Sequence, residues 1–265
     1  MRVMLTGAAV LMLTTGTAAG QSVARRVAAA PDGTVRLSFA SRPGVCGNGH
    51  GTISTHCVDG RCDDRTVTSD RDDGSVIYGC EPGPVRLALM VHGGQVTRLR
   101  AFVGGDWNAA GTGVTDLGAI PPADAAHYLL DLATSSDGSI GEEAIFPATL
   151  ADSVTIWPEL IRLARNEHVQ RNTRRSAVFW LGQAAGEAAT SGLDSLATDV
   201  AVDREVRESA VFALSQQPHD IGVPSLIRIA RSNRDPDIRR KAIFWLGESD
   251  DPRALALFEE LLTKP

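Results

Sequence analysis

The chain has 265 residues (28.0 kDa), of which 43% are hydrophobic, 22% charged and 5% aromatic, and a formal net charge of −6. These values exclude a fibre or a wholly disordered chain and fit one or two folded domains. Only Lys241 and Lys264 among the 26 basic residues are lysines, and a pI near 5.5 lacks the basic balance of a domain that binds nucleic acid by charge.

Residues 1–20 read as a signal peptide. Arg2 supplies the early positive charge, the stretch from Val3 to Gly20 is uncharged, and its middle, Ala8 to Leu13, is apolar. Small residues at Ala18 and Gly20 place the expected cleavage after Gly20, which sends the chain to the periplasm or outside the cell. Residues 21–32 are expected to be a flexible segment. Past residue 20 there is no run of eighteen apolar residues, so no spanning membrane segment is expected.

Four cysteines follow, Cys46, Cys57, Cys62 and Cys80, confined to 35 residues of a chain read as exported. That pattern points to two disulfides whose connectivity the sequence leaves open among three possibilities. A zinc site is the rival, because His50 and His56 share the stretch, but the spacings fit no compact zinc pattern. Around this loop apolar and polar residues alternate in 35–39, 84–91 and 96–103, with a turn at 92–95. A small antiparallel β domain, stapled by disulfides, is therefore expected over 33–104. Gly47 to Gly51 reads as a flexible turn rather than a phosphate cradle, since no helix signal opens after it. Residues 105–121, glycine-rich and aperiodic, are expected to be a linker.

The remainder, 122–265, repeats itself. Arg174-Arg175-Ser176-Ala177-Val178-Phe179-Trp180-Leu181-Gly182 returns from Arg207 and again from Arg239, at offsets of 33 and 32, and a degenerate copy surrounds Phe146. Between the copies runs a second phrase, Leu160/Leu163, Leu193/Leu196, Leu226/Ile229 and Phe258/Leu261. In the third unit Val206, Ala210, Val211 and Leu214 share one helical face, Pro218 to Gly222 reads as a break, and Pro224 as the first turn of the next helix. Two short helices per unit cannot bury their apolar stripes alone, so neighbours must stack. The fold class expected is an α-solenoid of αα repeats, about four pairs plus a leading helix over 123–134.

The sequence Asp203…Val206-Arg207…Ala210, repeated as Asp235…Ile238-Arg239…Ala242, resembles short bacterial HEAT repeats, the class also found in phycobilin-lyase-like proteins. The resemblance covers about 123–265, and the N-terminal part resembles no family. It implies a ladder of Asp and Arg joining successive units, carried here by Asp203, Arg207, Asp235, Arg239 and Arg174, with Gln170 standing where an Asp would precede Arg174. It implies no catalytic residues.

Serine-hydrolase, zinc-protease, P-loop and dinucleotide motifs are all absent, and the six histidines are scattered. No catalytic, cofactor or metal residues are therefore assigned, and no cofactor is expected. Two features mark a candidate partner surface: the repeat-equivalent arginines Arg162/Arg228 and Arg165/Arg231, and the equivalent tryptophans Trp180 and Trp245. The arginines also suit helix C-termini, and the tryptophans suit a packed core. The expected function is an exported scaffold or adaptor that binds a protein partner and catalyses nothing. The alternative is a ligand- or metal-binding protein with a site at the junction of the two parts, using His50, His56 or Asp106.

Overall fold

The computed structural model describes residues 18–55, 57–58, 61–62, 66–68, 80–107, 111–184 and 187–263. Its elements begin with helix α1 (Ala18–Ala28) and strand β1 (Gly33–Phe39), followed by the short strands β2 (Cys46–Gly47), β3 (Thr52–Ser54), β4 (Cys57–Val58), β5 (Arg61–Cys62), β6 (Thr66–Thr68) and β7 (Glu81–Pro82). The hairpin β8 (Val85–His92) and β9 (Gln95–Phe102) comes next, and β10 (Val114–Ala119) closes this part. The main sheet has the order β10-β1-β8-β9. Val35, Leu37 and Phe39 on β1 and Val85, Leu87, Leu89 and Val91 on β8 point to its buried face, which is the alternation seen in the sequence. The turn between β8 and β9 is Gly93-Gly94, both at positive φ, a conformation glycine adopts without strain.

Two expectations about this part are corrected. The stretch 21–32 is not a loose segment: α1 runs to Ala28, and Val23 and Val27 are buried against the rest of the protein. The leader expected over 1–20 lies mostly outside the described residues, and α1 crosses the Gly20–Gln21 bond. The stretch 105–121 is not wholly linker either, because Val114–Ala119 pairs in parallel with β1, which makes the sheet mixed rather than antiparallel. β10 contains Gly118 and has no fully buried residue, so it carries no clear hydrophobic alternation to announce it.

The cysteine region forms a second small sheet, β6-β3-β2-β7, and the two-stranded β4-β5. Cys46 and Cys80 are joined in a disulfide with Cα atoms 5.3 Å apart. Cys57 is disulfide-bonded as well, and its ladder partner on β5 is Cys62.

From residue 122 the chain is helical: α2 (Pro122–Ser135), α3 (Ile140–Thr149), α4 (Trp157–Arg165), α5 (Arg171–Gln183), α6 (Glu187–Thr198), α7 (Arg204–Ser215), α8 (His219–Ser232), α9 (Pro236–Gly247) and α10 (Pro252–Thr263). Prolines at the first turns of α2, α4 and α9 set φ for helix entry where no N–H partner is needed. Asp235 caps α9 by accepting from the Asp237 N–H at 2.9 Å. The start of α8 differs from expectation. Pro218 is its N-cap, its carbonyl accepts from the Ile221 and Gly222 N–H groups, and Pro224 sits inside the helix. The break expected at 218–222 is thus the first turn of α8, which closes because Gly222 leaves room for the Leu214 carbonyl.

The helices stack in two layers. One contains α3, α5, α7 and α9, each against the next, and the other contains α4, α6, α8 and α10. Ala177, Val178 and Leu181 of α5, and Val206, Ala210, Val211 and Leu214 of α7, are fully buried between the layers with Leu160, Leu193, Leu196 and Leu226. The sheet meets the first helices through α1 on α2 and β9 on α3, and Arg42 Nε donates to the Thr149 carbonyl at 3.1 Å.

Candidate functional site

Successive repeats are tied by charge. Arg174, 6% exposed at its side chain, pairs with Asp203 of the next unit, and Arg207 pairs with Asp235 at 2.9 Å. Arg207 also donates to the Asn233 side chain and the Ala197 carbonyl. Gln170, at the ladder position that lacks its aspartate, instead donates to Asp137 one unit earlier. Arg239, at the far end, turns back to the carbonyls of Asn233 and Arg234. The Asp235 carboxyl is held below its ordinary range, first by the Asp237 N–H and further by Arg207. Asp251 is held down to about 2, mainly by hydrogen bonds from the Arg253 side chain.

The arginines of the second layer, marked in the sequence as a candidate partner stripe, are each matched within the chain. Arg162 bonds Glu159 at 2.5 Å, Arg165 lies 3.4 Å from Asp199, Arg228 bonds Asp194 at 2.5 Å and Arg231 bonds Glu260 at 2.6 Å. Three of these four pairs join neighbouring repeats. The stripe is basic in sequence and charge-balanced in space.

Trp180 and Trp245 are half-buried. Trp180 stacks on Phe146 of the preceding repeat with centroids 4.8 Å apart, and Trp245 lies 5.0 Å from Phe212 of its own preceding repeat. They are inter-repeat packing groups that hold up a different set of rings. Phe179, Phe212 and Phe244, one per repeat at the same position, are 47%, 38% and 55% exposed. Each is braced edge-on or tilted by a tryptophan about 5 Å away. In the sequence this phenylalanine recurs at 146, 179, 212 and 244. The apolar face of α7 built from Val206, Ala210, Val211 and Leu214 leaves Phe212 beside it, and that offset was the available signal.

Three apolar rings thus stand exposed at equivalent positions of one layer, and Phe179 and Phe212 share one depression. The depression lies between α5 and α7 and measures about 500 Å³. Phe179 and Phe212 line it with Gly182 and Ala213, and Glu142 and Arg175 stand among its polar groups. Gly182 is required there, since a Cβ would lie 2.9 Å from that of Ala213. A second depression of about 370 Å³ between α7 and α9 holds Phe244 among charged residues. Those charges pair off: Arg204 with Asp237 (3.1 Å) and Glu208 (3.6 Å), Lys241 with Glu208 (3.7 Å), and Arg240 with Asp237.

The alternative site at the β side is less developed. His50 is exposed, and its backbone N–H is held by Asn48 Oδ1 within its own turn. Asp106 stands near the buried Arg86, whose guanidinium donates to the Gly104 carbonyl and lies 5.0 Å from the Trp107 ring centre. Burial lowers the Arg86 pKa, and Asp106 partly offsets that. These contacts clamp the 104–107 loop onto the sheet. His56 lies outside the described residues. Among the described residues, the group with metal-ligand proximity is Cys46, Cys57 and Cys80, their sulfurs within 4.8 Å of one another. As disulfide sulfurs they lack the thiolate that coordinates metal. Among the described residues no helix is long and apolar enough to cross a membrane.

Residues 201–265, which span α7 to α10, match the HEAT repeats family. No curated protein matches the chain. HEAT repeats are in general scaffolds for protein interaction and are not catalytic as a class.

Proposed function

We propose, from the HEAT-repeat segment at 201–265, that the protein is an exported adaptor that binds a protein partner on the α3/α5/α7/α9 layer and has no catalysis of its own. The observation that carries this reading is the stripe of Phe179, Phe212 and Phe244, exposed at equivalent positions of three successive repeats. Large rings held in place by neighbouring tryptophans lose little entropy on binding and bury substantial area, as interface anchors do. The second layer, with its arginines already paired, offers rim charges of small energetic worth. Export is supported by the leader-like residues 1–20 and by the clustered, oxidised cysteines. We take Cys57–Cys62 as the second disulfide alongside Cys46–Cys80. Antiparallel partners stand about 4.5–5.5 Å apart at Cα, which suits that bond.

The test is cross-linking in the native host of the wild-type chain and of the double variant Phe179→Asp/Phe244→Asp, both rings being about half exposed. The reading expects discrete cross-linked species with the wild type that vanish in the double variant while its thermal midpoint holds. Species that persist unchanged in the variant overturn it.

A further inference from the structure

The proposed partner face repeats one exposed ring on α5, α7 and α9 and is uneven in its charges, and the unevenness specifies what binds. The position of Arg175 in α5 is occupied by Glu142 in α3, Glu208 in α7 and Arg240 in α9, so the sign alternates along the array. Glu208 is matched by Arg204 and Lys241, and Arg240 by Asp237. Arg175 is different: its Nε donates to the Ser209 hydroxyl at 3.2 Å, and among the described residues it forms no ion pair. It stands in the same depression as Phe179 and Phe212. Glu142 is in that depression too and is likewise without a basic partner among the described residues. The depression therefore offers apolar walls with one open cation, and an open carboxylate from the preceding repeat.

We propose that this depression receives an extended peptide segment in which an apolar side chain is followed directly by an aspartate or glutamate. The apolar group lies between Phe179 and Phe212, and the carboxylate meets Arg175, on the side away from Glu142. The inference rests on reading this face as the partner surface. Burying the apolar side chain supplies most of the affinity. The charge pair, at a partly exposed arginine, contributes orientation and selectivity more than strength. Helices pack about 8–10 Å apart and an extended chain advances about 3.3 Å per residue, so the third residue along advances by one repeat, to between Phe212 and Phe244. The segment recognised is then apolar–acidic–any–apolar, and a basic residue on the side of Glu142 is favoured.

The experiment uses the full chain and three fluorescein-labelled twelve-residue peptides in a Ser/Gly background, each with leucines three apart. The residue after the first leucine is aspartate, asparagine or lysine. Binding is read by fluorescence anisotropy at low and high salt, and variants are matched by thermal unfolding. The expected result is at least about fivefold tighter binding of the aspartate peptide than of the asparagine one, a gap that shrinks at high salt. Arg175→Glu should turn the preference toward lysine, and Phe179→Ala should weaken all three peptides alike. Equal affinities for the three that still fall with Phe179→Ala overturn the charge-selective inference and leave the partner face standing. A preference for aspartate that survives Arg175→Glu also overturns it. Binding of none of the three overturns it as well, and the native cross-linking result remains an independent measure of the face.

Discussion

The guanidinium of Arg207 and the carboxylate of Asp235 meet at 2.9 Å across the boundary between two repeats, 28 residues apart. The pair joins α7 to the loop that caps α9, since Asp235 also accepts from the Asp237 N–H. One arginine therefore anchors stacking and helix initiation together. Arg207→Gln removes a nearly buried charge and leaves Asp235 and Asn233 without it. The expected loss is about 2–3 kcal/mol of stability, read from the midpoint of urea unfolding. Charge removal at the exposed Arg162 should change stability by less than about 0.5 kcal/mol.

Gly182 and Ala213 set how closely α5 and α7 approach. Gly182→Val is expected to cost about 1–3 kcal/mol through overpacking, despite the gain in helix propensity over glycine. Part of that loss should return in the Gly182→Val/Ala213→Gly double variant. A double-mutant cycle measures the coupling, and strict additivity contradicts direct contact.

Acid sensitivity follows from carboxyls whose pKa is depressed on folding. Asp251 falls from 3.8 to about 2 and Asp235 is lowered too. A group of this kind stabilises the fold above its unfolded pKa and loses that contribution as pH falls through the folded value. The thermal midpoint should therefore drop between about pH 4 and pH 2. Asp251→Asn, which keeps a capping oxygen, should be less stable at neutral pH and show a shallower decline across that window.

The disulfides give a further expected outcome. Digestion without reduction should release linked peptides containing Cys46–Cys80 and Cys57–Cys62, read by mass spectrometry. A Cys46–Cys80 bond closes a loop with a sequence separation of 34. Cys46→Ser/Cys80→Ser should cost about 3–4 kcal/mol by loop entropy, seen as earlier unfolding of the sheet region. Linked peptides with Cys46–Cys57 instead contradict the pairing.

The stacked helices were legible because a 33-residue recurrence leaves few other architectures, and the observed α2 to α10 follow it closely. The edges were less legible. Helix α1 is short and partly polar, and its two valines, Val23 and Val27, have meaning only against α2. Strand β10 is held by its backbone pairing with β1 rather than by its side chains. The arginine stripe stayed open to two readings because a sequence shows charges without their partners. The partner of Arg228 is Asp194, 34 residues earlier, so aligning the repeats by register would have paired the two. The phenylalanine stripe was visible as a recurrence, but helical aromatics usually face the core, and only the packed layers show that these rings lie outside it.

The central claim, that the ring-bearing layer is the partner face, is tested most directly by site-specific photo-cross-linking in the native host. A benzophenone amino acid is placed at Phe212 on that layer and, in a second variant, at Arg162 on the other. The account predicts a cross-linked partner from position 212 and none from position 162. A partner captured from position 162 with none from position 212 would contradict it.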